Sequence, residues 1–393
     1  MISLSQSPID PSFVQNPYPF YERVRQAGGF VRWTDYDLPV TARATVVGAA
    51  LRDRRLGREA PPEYAPEIPP HLAPFYAVEA HSMLELEGPR HARLRCLVLR
   101  AFTTGRIARL APDIAALAHQ LIDRMPQGGC DLLDTFARPL PVILIARLLG
   151  VPEAAAPDLL AWSNAMVGMY QAGRSAETEA AAVRATEDFV AFLRDTITTK
   201  RRAPGDDLIS HLIAAEEAGT HLSTDEMIAT CILLLNAGHE ATVHTIGNGV
   251  RALLENGIGG DWLTPERIEG TIEEILRIDP PLHLFTRWVY EEIELAGQTF
   301  QRGDQIGLLL AGANHDPGPW EDPAQFRPGR PVQTNFAFGA GAHFCIGAPL
   351  ARLELATALP VLFNRLPDLR LAEAPRYANL YHFHGLERLV VTY

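Results

Sequence analysis

Helical patterns dominate this sequence and strand patterns occupy short stretches, so it predicts a mainly α chain with a small β-rich portion. Two observations carry that expectation. Apolar residues recur at helical spacing through most of 105–215, interrupted only at Gly128-Gly129, at Gly150 to Pro152, at Gly173 and at Pro204-Gly205. Residues 223–257 then form one long pattern with its own start and stop signals, whereas alternation is limited to 30–48 and 287–310.

Taken in order, residues 10–30 read as a proline-opened helix closed by Gly28 and Gly29, and 30–48 as two short strands. The stretch 57–82 is rich in Pro, Ala and Glu, shows no period and reads as a surface loop. Residues 87–102 are helical after Pro89. His91 and Arg95, four apart, share a face, which from residue types alone is a solvated basic face. The following periodic segments are 106–125, 138–149, 155–172, 177–199 and 206–217. Met166, Met169 and Tyr170 fall where they could be core or line a lid.

In 223–257, Ser223 with Glu226 makes a capping box and Gly257 a stop. Such a helix is ~50 Å long at ~1.5 Å per residue. Its middle, Cys231-Ile-Leu-Leu-Leu, is apolar, but Gly238 and Glu240 follow. Glycine in a helix costs ~1 kcal/mol against alanine, and a buried carboxylate costs more unless it is used. Thr264-Pro265 opens a further helix that ends before Pro280-Pro281, with Glu274 and Arg277 paired at i, i+3. Strands with a turn at Gly303-Asp304 fill 287–310, and 312–335 is irregular. His382-Phe383-His384-Gly385 reads as a hairpin tip.

The 393 residues carry a formal net charge of −12, which argues against nucleic acid as a partner. No apolar run approaches the ~20 residues of a membrane span, and the start lacks the pattern of a signal peptide. The four cysteines are scattered, without Cys-x-x-Cys, which suits a reducing cytoplasm rather than a disulfide framework or zinc site. No polar linker divides the chain, so 1–393 is expected to be one domain.

One cysteine stands apart. Residues 338–347 read Phe-Gly-Ala-Gly-Ala-His-Phe-Cys-Ile-Gly and place Cys345 in a glycine-rich turn ahead of a helical pattern. Unpaired backbone N–H groups and a helix dipole there favour thiolate. Gly339, Gly341 and Gly347 permit close approach to something flat, Phe338 can cover the sulfur, and His343 can donate to an anion. Taken alone, a buried free cysteine would also satisfy this stretch.

The stretch is not alone. Phe338, Gly341, His343, Cys345 and Gly347 match the Phe-x-x-Gly-x-Arg/His-x-Cys-x-Gly signature, and the chain resembles the cytochrome P450 family over nearly its whole length. Ala237-Gly238-His239-Glu240-Ala241-Thr242 resembles that family's oxygen-activation motif, with alanine where threonine is usual. Glu274-x-x-Arg277 and Phe326 to Arg330 resemble its structural triad of Glu274, Arg277 and Arg330. The resemblance implies about a dozen helices around one haem b, buried between the long central helix and the cysteine loop. It implies Cys345 as the iron ligand, and His91, Arg95, Arg287 and His343 on the propionates. Phe338, Gly339, Gly347 and Ala237 would lie against the macrocycle, and Gly238, Glu240, Ala241 and Thr242 on the oxygen side. Leu282, His283, Leu284 and Phe285 fall where the family lines its substrate pocket, and 57–82 where it covers substrate.

The implied activity is that of a soluble, bacterial-type, cytoplasmic haem-thiolate monooxygenase acting on a hydrophobic organic substrate. A separate ferredoxin or flavodoxin, with its reductase, would supply electrons. Arg93 and Arg100 would face outward to an acidic partner. The hydroxyl of Thr242, one residue late, is turned by ~100° from the missing one. Proton delivery therefore falls to water, Glu240, Thr242 or a substrate hydroxyl. Asn236, His239, His283 and His382 are candidate polar contacts. A peroxide-using haem-thiolate enzyme, a haem sensor, or a cysteine-nucleophile hydrolase with His343 as base are the alternatives.

Overall fold

The computed structural model describes the chain except residues 172–173, 218–221 and 382 and the side chains of 101 and 215–217. Gly173 and His382 thus lie outside the described residues. The architecture is built on one helix, Thr224–Glu255, of 32 residues. Ser223 Oγ accepts the Glu226 N–H at 3.1 Å, and the Glu226 carboxylate accepts the Ser223 N–H at 2.9 Å, so the capping box forms as read. The helix is apolar on nearly every side because it is covered on nearly every side. Its first half packs against Pro139–Leu149, Ala156–Val167 and Ala176–Arg202; its second half meets Ile268–Ile278 and Ala348–Arg365. Two large apolar clusters therefore share this one element.

The main sheet has six strands in the order Ile2–Leu4, Val31–Trp33, Leu38–Thr41, Gln305–Leu309, Leu284–Val289 and Leu56–Gly57. Ile2–Leu4 runs parallel to Val31–Trp33, and Leu38–Thr41 parallel to Gln305–Leu309; the other pairings are antiparallel. Small two- and three-stranded sheets complete the β portion. An aromatic cluster of Phe13, Phe20, Tyr21 and Trp33 anchors the N-terminal helices to the sheet.

Several boundaries differ from the pattern reading, each for a local reason. Residues 10–30 form two helices, Pro11–Gln15 and Tyr18–Ala27, because Pro17 interrupts the first. The segment 106–125 likewise divides into Thr104–Ala108 and Ala111–Asp123, the second opened by Pro112. Within 30–48 the strands end at Thr41, and Ala44–Ala50 is helical. The stretch 57–82 contains a helix, Ala73–Glu79, whose Phe75 and Val78 are buried; two turns are too short to show a period. The helix after Thr264 begins only at Ile268. Lys200, the single lysine of the chain, lies in the last turn of the 27-residue helix Ala176–Arg202 and forms an ion pair of 2.6 Å with Asp207.

Candidate functional site

A cavity opens between the middle of the central helix and the loop before Ala348–Arg365. Ala237, Gly238, Ala241, Thr242 and Thr245 form one wall, and Phe338, His343, Phe344, Cys345, Ile346 and Gly347 the other. Small residues on the helix leave its backbone as the surface. A Cβ at Gly238 would lie 2.9 Å from Ile145 Cδ1, so that glycine also admits the neighbouring helix Pro139–Leu149. Thr245 Oγ1 donates to the Ala241 carbonyl at 2.7 Å, a bond within the helix on the cavity face.

The cysteine loop depends on two left-handed glycines, Gly339 at φ +65° and Gly341 at φ +72°. At Gly341 a Cβ would stand 2.1 Å from the Leu51 carbonyl oxygen, so no other residue fits there. Gly347 is less constrained, and Gly339 stands beside the cavity without lining it. The Cys345 N–H donates to the Phe338 carbonyl at 3.1 Å, folding the loop over the sulfur. Burial pushes the thiol up, while the N–H groups of Gly347 and Ala348 and the charges of Arg95 and Arg352 pull it down. Those donors would stabilise a metal-bound thiolate. Arg352 lies 4.6 Å over the Phe338 ring.

The cavity rim gathers basic side chains. His91 is buried, stacks on His343 at 4.3 Å, and its Nε2 has no partner among the described residues. Burial and the charge of His343 lower it to about 4. His343 Nε2 is 2.7 Å from Glu87 Oε1. Arg95 donates to the Phe344 carbonyl. Arg287 is buried, bonds only its neighbour's carbonyl (Thr286, 2.8 Å), and has no carboxylate partner among the described residues. Burial and the charge of Arg58 bring it down to about 10. Arg58, which the sequence reading passed over, also lines the cavity and pairs with Glu85. An uncompensated buried guanidinium is costly unless an anion meets it.

Glu240 does not line the cavity. Burial raises its carboxyl, but His244, His239 and Arg138 outweigh this and hold it below its ordinary value. A second carboxyl was missed. Glu354, on Ala348–Arg365, lines the cavity, is pushed up to about 8 by burial, and leaves Oε2 without a partner among the described residues. Only its position within an ordinary helical pattern was visible in sequence.

At the far end Met83, Ile145, Leu233, Leu234, Leu282 and Phe285 make the lining apolar. In the strand Leu284–Val289, Phe285 and Arg287 line the cavity and Leu284 and Thr286 do not, as alternation requires; His283, just before the strand, is turned away, its Nδ1 2.9 Å from the Tyr21 hydroxyl. His239 and Asn236 are buried outside the cavity. Met166 and Met169 are core, and Tyr170 donates to Glu79 at 2.9 Å; none lines the cavity. Of the two arginines expected to face outward, Arg100 does, whereas Arg93 turns to Glu226 of the central helix.

The loop's approach is braced from behind. Arg277 holds Glu274 through two bonds of 2.7 and 2.8 Å, and Arg330 reaches the same carboxylate at 3.1 Å. Arg277 also ties the carbonyls of Asn314 and Pro323. Asn314 Oδ1 in turn accepts the Phe336 N–H at 2.7 Å, two residues before the loop.

Comparison with known proteins agrees with this arrangement. The family model described as Cytochrome P450 matches residues 268–366. Cytochrome P450 107B1 of Saccharopolyspora erythraea is 36% identical over 392 residues, covering 94% of this chain and 91% of that protein. The biotin biosynthesis cytochrome P450 of Bacillus subtilis is 32% identical, with full coverage of both chains. The crystal structure of P450BioI in complex with acyl carrier protein ligated to hexadec-9Z-enoic acid superposes with a TM-score of 0.91, at 32% identity, over 97% of this chain and 99% of that one. With an identity of this extent, the fold of solved P450 structures and a cavity set against a cysteine loop, the chain belongs to the cytochrome P450 family.

Proposed function

We propose that the chain is a single-domain haem-thiolate monooxygenase that places one atom of O₂ into a hydrophobic organic substrate. The observation that carries this is the convergence on one cavity of Cys345, a side-chain-poor stretch of the central helix, and two rim guanidiniums, Arg95 and Arg287, whose hydrogen bonds among the described residues go to carbonyls and not to carboxylates. Haem b fits that donor set. Cys345 would ligate the iron, with His91, Arg95, Arg287 and His343 on the propionates and Arg58 beside them. Ala237 and Gly238 would lie against one face, and Phe338 and Gly347 against the other, with Gly339 shaping the loop. When bound, haem supplies the iron at which O₂ is activated.

The chain's own residues do the rest. Phe338 keeps water from the sulfur, and the N–H groups of Gly347 and Ala348 hold negative charge on it. Ala241 presents a methyl group to the cavity where a hydroxyl is usual, so Thr242 is the neighbouring hydroxyl in that wall, the Thr245 hydroxyl being tied to the Ala241 carbonyl. Glu354, on the helix that follows Cys345, belongs to the opposite wall; Glu240, held ionised by its neighbours, can be reprotonated from behind. The apolar end selects hydrophobic substrates and excludes water. Electrons come from a separate ferredoxin or flavodoxin with its reductase, and the setting is the cytoplasm.

The methyl group of Ala241 favours one second reading, use of peroxide in place of O₂ and electrons. The hydrolase reading loses its base, because His343 engages Glu87 and His91 rather than Cys345. The test is the absorption spectrum of the reduced protein with carbon monoxide, for the native chain and Cys345→Ala. A strongly red-shifted Soret band, lost in the variant, is expected; a band at shorter wavelength in the native chain overturns thiolate ligation. Dealkylation of 7-ethoxycoumarin with a plant-type ferredoxin, its reductase and O₂, against peroxide alone, separates the two readings.

A further inference from the structure

Glu240 has company on the side away from the cavity. His239 Nδ1 lies 3.8 Å and His244 Nε2 3.5 Å from its carboxylate oxygens. The His244 ring presses on Gly385, where an added Cβ would stand 1.8 Å from Nδ1. The adjoining residue, His384, has its ring centroid 4.4 Å from that of His283 and 3.8 Å from that of Tyr377. His384 Nδ1 is 2.9 Å from Asp279 Oδ1. Asp279, His384 and Arg251 in turn line a cleft that opens to the surface beside Glu255. Titratable groups therefore run from that cleft to the middle of the central helix.

Six ring nitrogens along this run have no hydrogen-bond partner among the described residues, both of His239, both of His244, and Nε2 of His283 and of His384, although His244 and His384 are only 7% and 5% exposed. A buried polar atom left so costs ~1–3 kcal/mol, and a phenyl ring would pack as well. Asp279, His283 and His384 do bring donor atoms within 4.8 Å, a spacing a metal ion could use. The Asp279 carboxylate, however, already takes the Tyr18 and Tyr377 hydroxyls and His384, with the Arg251 guanidinium at 3.3 Å. A second cation would lack a counter-charge there.

We infer that His384 and His244 form a proton inlet from this cleft to Glu240, serving the oxygen chemistry proposed above and resting on that reading. In each passage one proton enters from bulk water, N–H and O–H bonds are made and broken in sequence, and no electron moves. Glu240 is the inner terminus, next to the groove lined by Gly238 and Ala241. Gly385 is what lets the His244 ring reach the hairpin.

The test uses the haem-loaded chain with His244→Gln and, separately, His384→Gln, each first shown to give the native carbon monoxide spectrum. With ferredoxin, reductase, O₂ and 7-ethoxycoumarin, product per reductant consumed should fall about ten-fold, and released hydrogen peroxide should rise to match. Turnover driven by added hydrogen peroxide, which brings its own protons, should fall far less. Independently, ¹⁵N-histidine spectra of the reduced, carbon monoxide-bound protein should show ring protons of His244 and His384 exchanging with water within seconds. Protection for hours, or unchanged coupling in both variants, overturns the inlet. A native chain that makes no product while its ring protons exchange rapidly counts against the monooxygenase reading and leaves the inlet supported.

Discussion

At the scale of single residues, the cavity is set by side chains whose cost of burial has a visible use. Among the described residues the buried Arg287 has no carboxylate partner and the buried His91 leaves Nε2 unpartnered, which suits them to an anionic ligand. Glu354 is the clearest case for measurement. Its carboxyl stands at about 8 when folded against 4.5 when exposed. Below pH 4.5 neither state ionises it; as pH rises to 8 the unfolded chain gains a charge that the folded chain does not. Stability is therefore lost over that window, by something on the order of a few kcal/mol. Glu354→Gln should flatten the decline, read from denaturant melts of the haem-loaded protein at pH 5, 6.5 and 8. An unchanged slope would mean that Glu354 is ionised in the folded state. Neither Glu354 nor Arg58 was legible beforehand, because each gains its meaning from residues far away in the chain. Cys345, by contrast, was legible because its neighbours in sequence are its neighbours in space.

At the scale of elements, local signals predicted well where the determinant is local. The capping box at Ser223 and Glu226 fixed the start of the central helix to the residue. Pro17 and Pro112 were visible, yet their power to divide a helix was underestimated at both places. The helix Ala73–Glu79 escaped notice because its amphipathic pattern spans only two turns and follows a run of prolines. The cysteine loop supplies the prediction at this scale. Gly341→Ala combines a left-handed backbone with a contact of 2.1 Å to the Leu51 carbonyl oxygen. The backbone preference alone costs ~1–2 kcal/mol, and the contact adds to it. Retention of haem on a sizing column should fall sharply in this variant, whereas Gly257→Ala, with φ +62° but open space around it, should retain haem as the native chain does.

At the scale of the whole molecule, the central helix and the Glu274–Arg277–Arg330 cluster divide the labour. The helix is shared by the two large apolar clusters, while the ion cluster fastens Ile268–Ile278 to the irregular strand of chain that leads to the cysteine loop. The triad was read from its motif, but its reach through Arg277 to Asn314 and Pro323 was not, since carbonyl partners leave no mark in a sequence. Removing one partner from a buried pair costs ~3–5 kcal/mol because the other charge is stranded. Glu274→Ala should lower the unfolding free energy obtained from urea melts by that amount and reduce haem content with it; a loss below ~1 kcal/mol would show the cluster to be solvated.

Lys200 offers something else. It is the only side-chain amine in 393 residues, and it is tied to Asp207 at the corner between Ala176–Arg202 and Leu208–Glu217. A fluorophore ester would therefore have one side-chain address, apart from the terminal α-amine of Met1. The dye would report on that corner without any engineered attachment point, its acylation slowed as long as the carboxylate keeps hold of the ammonium.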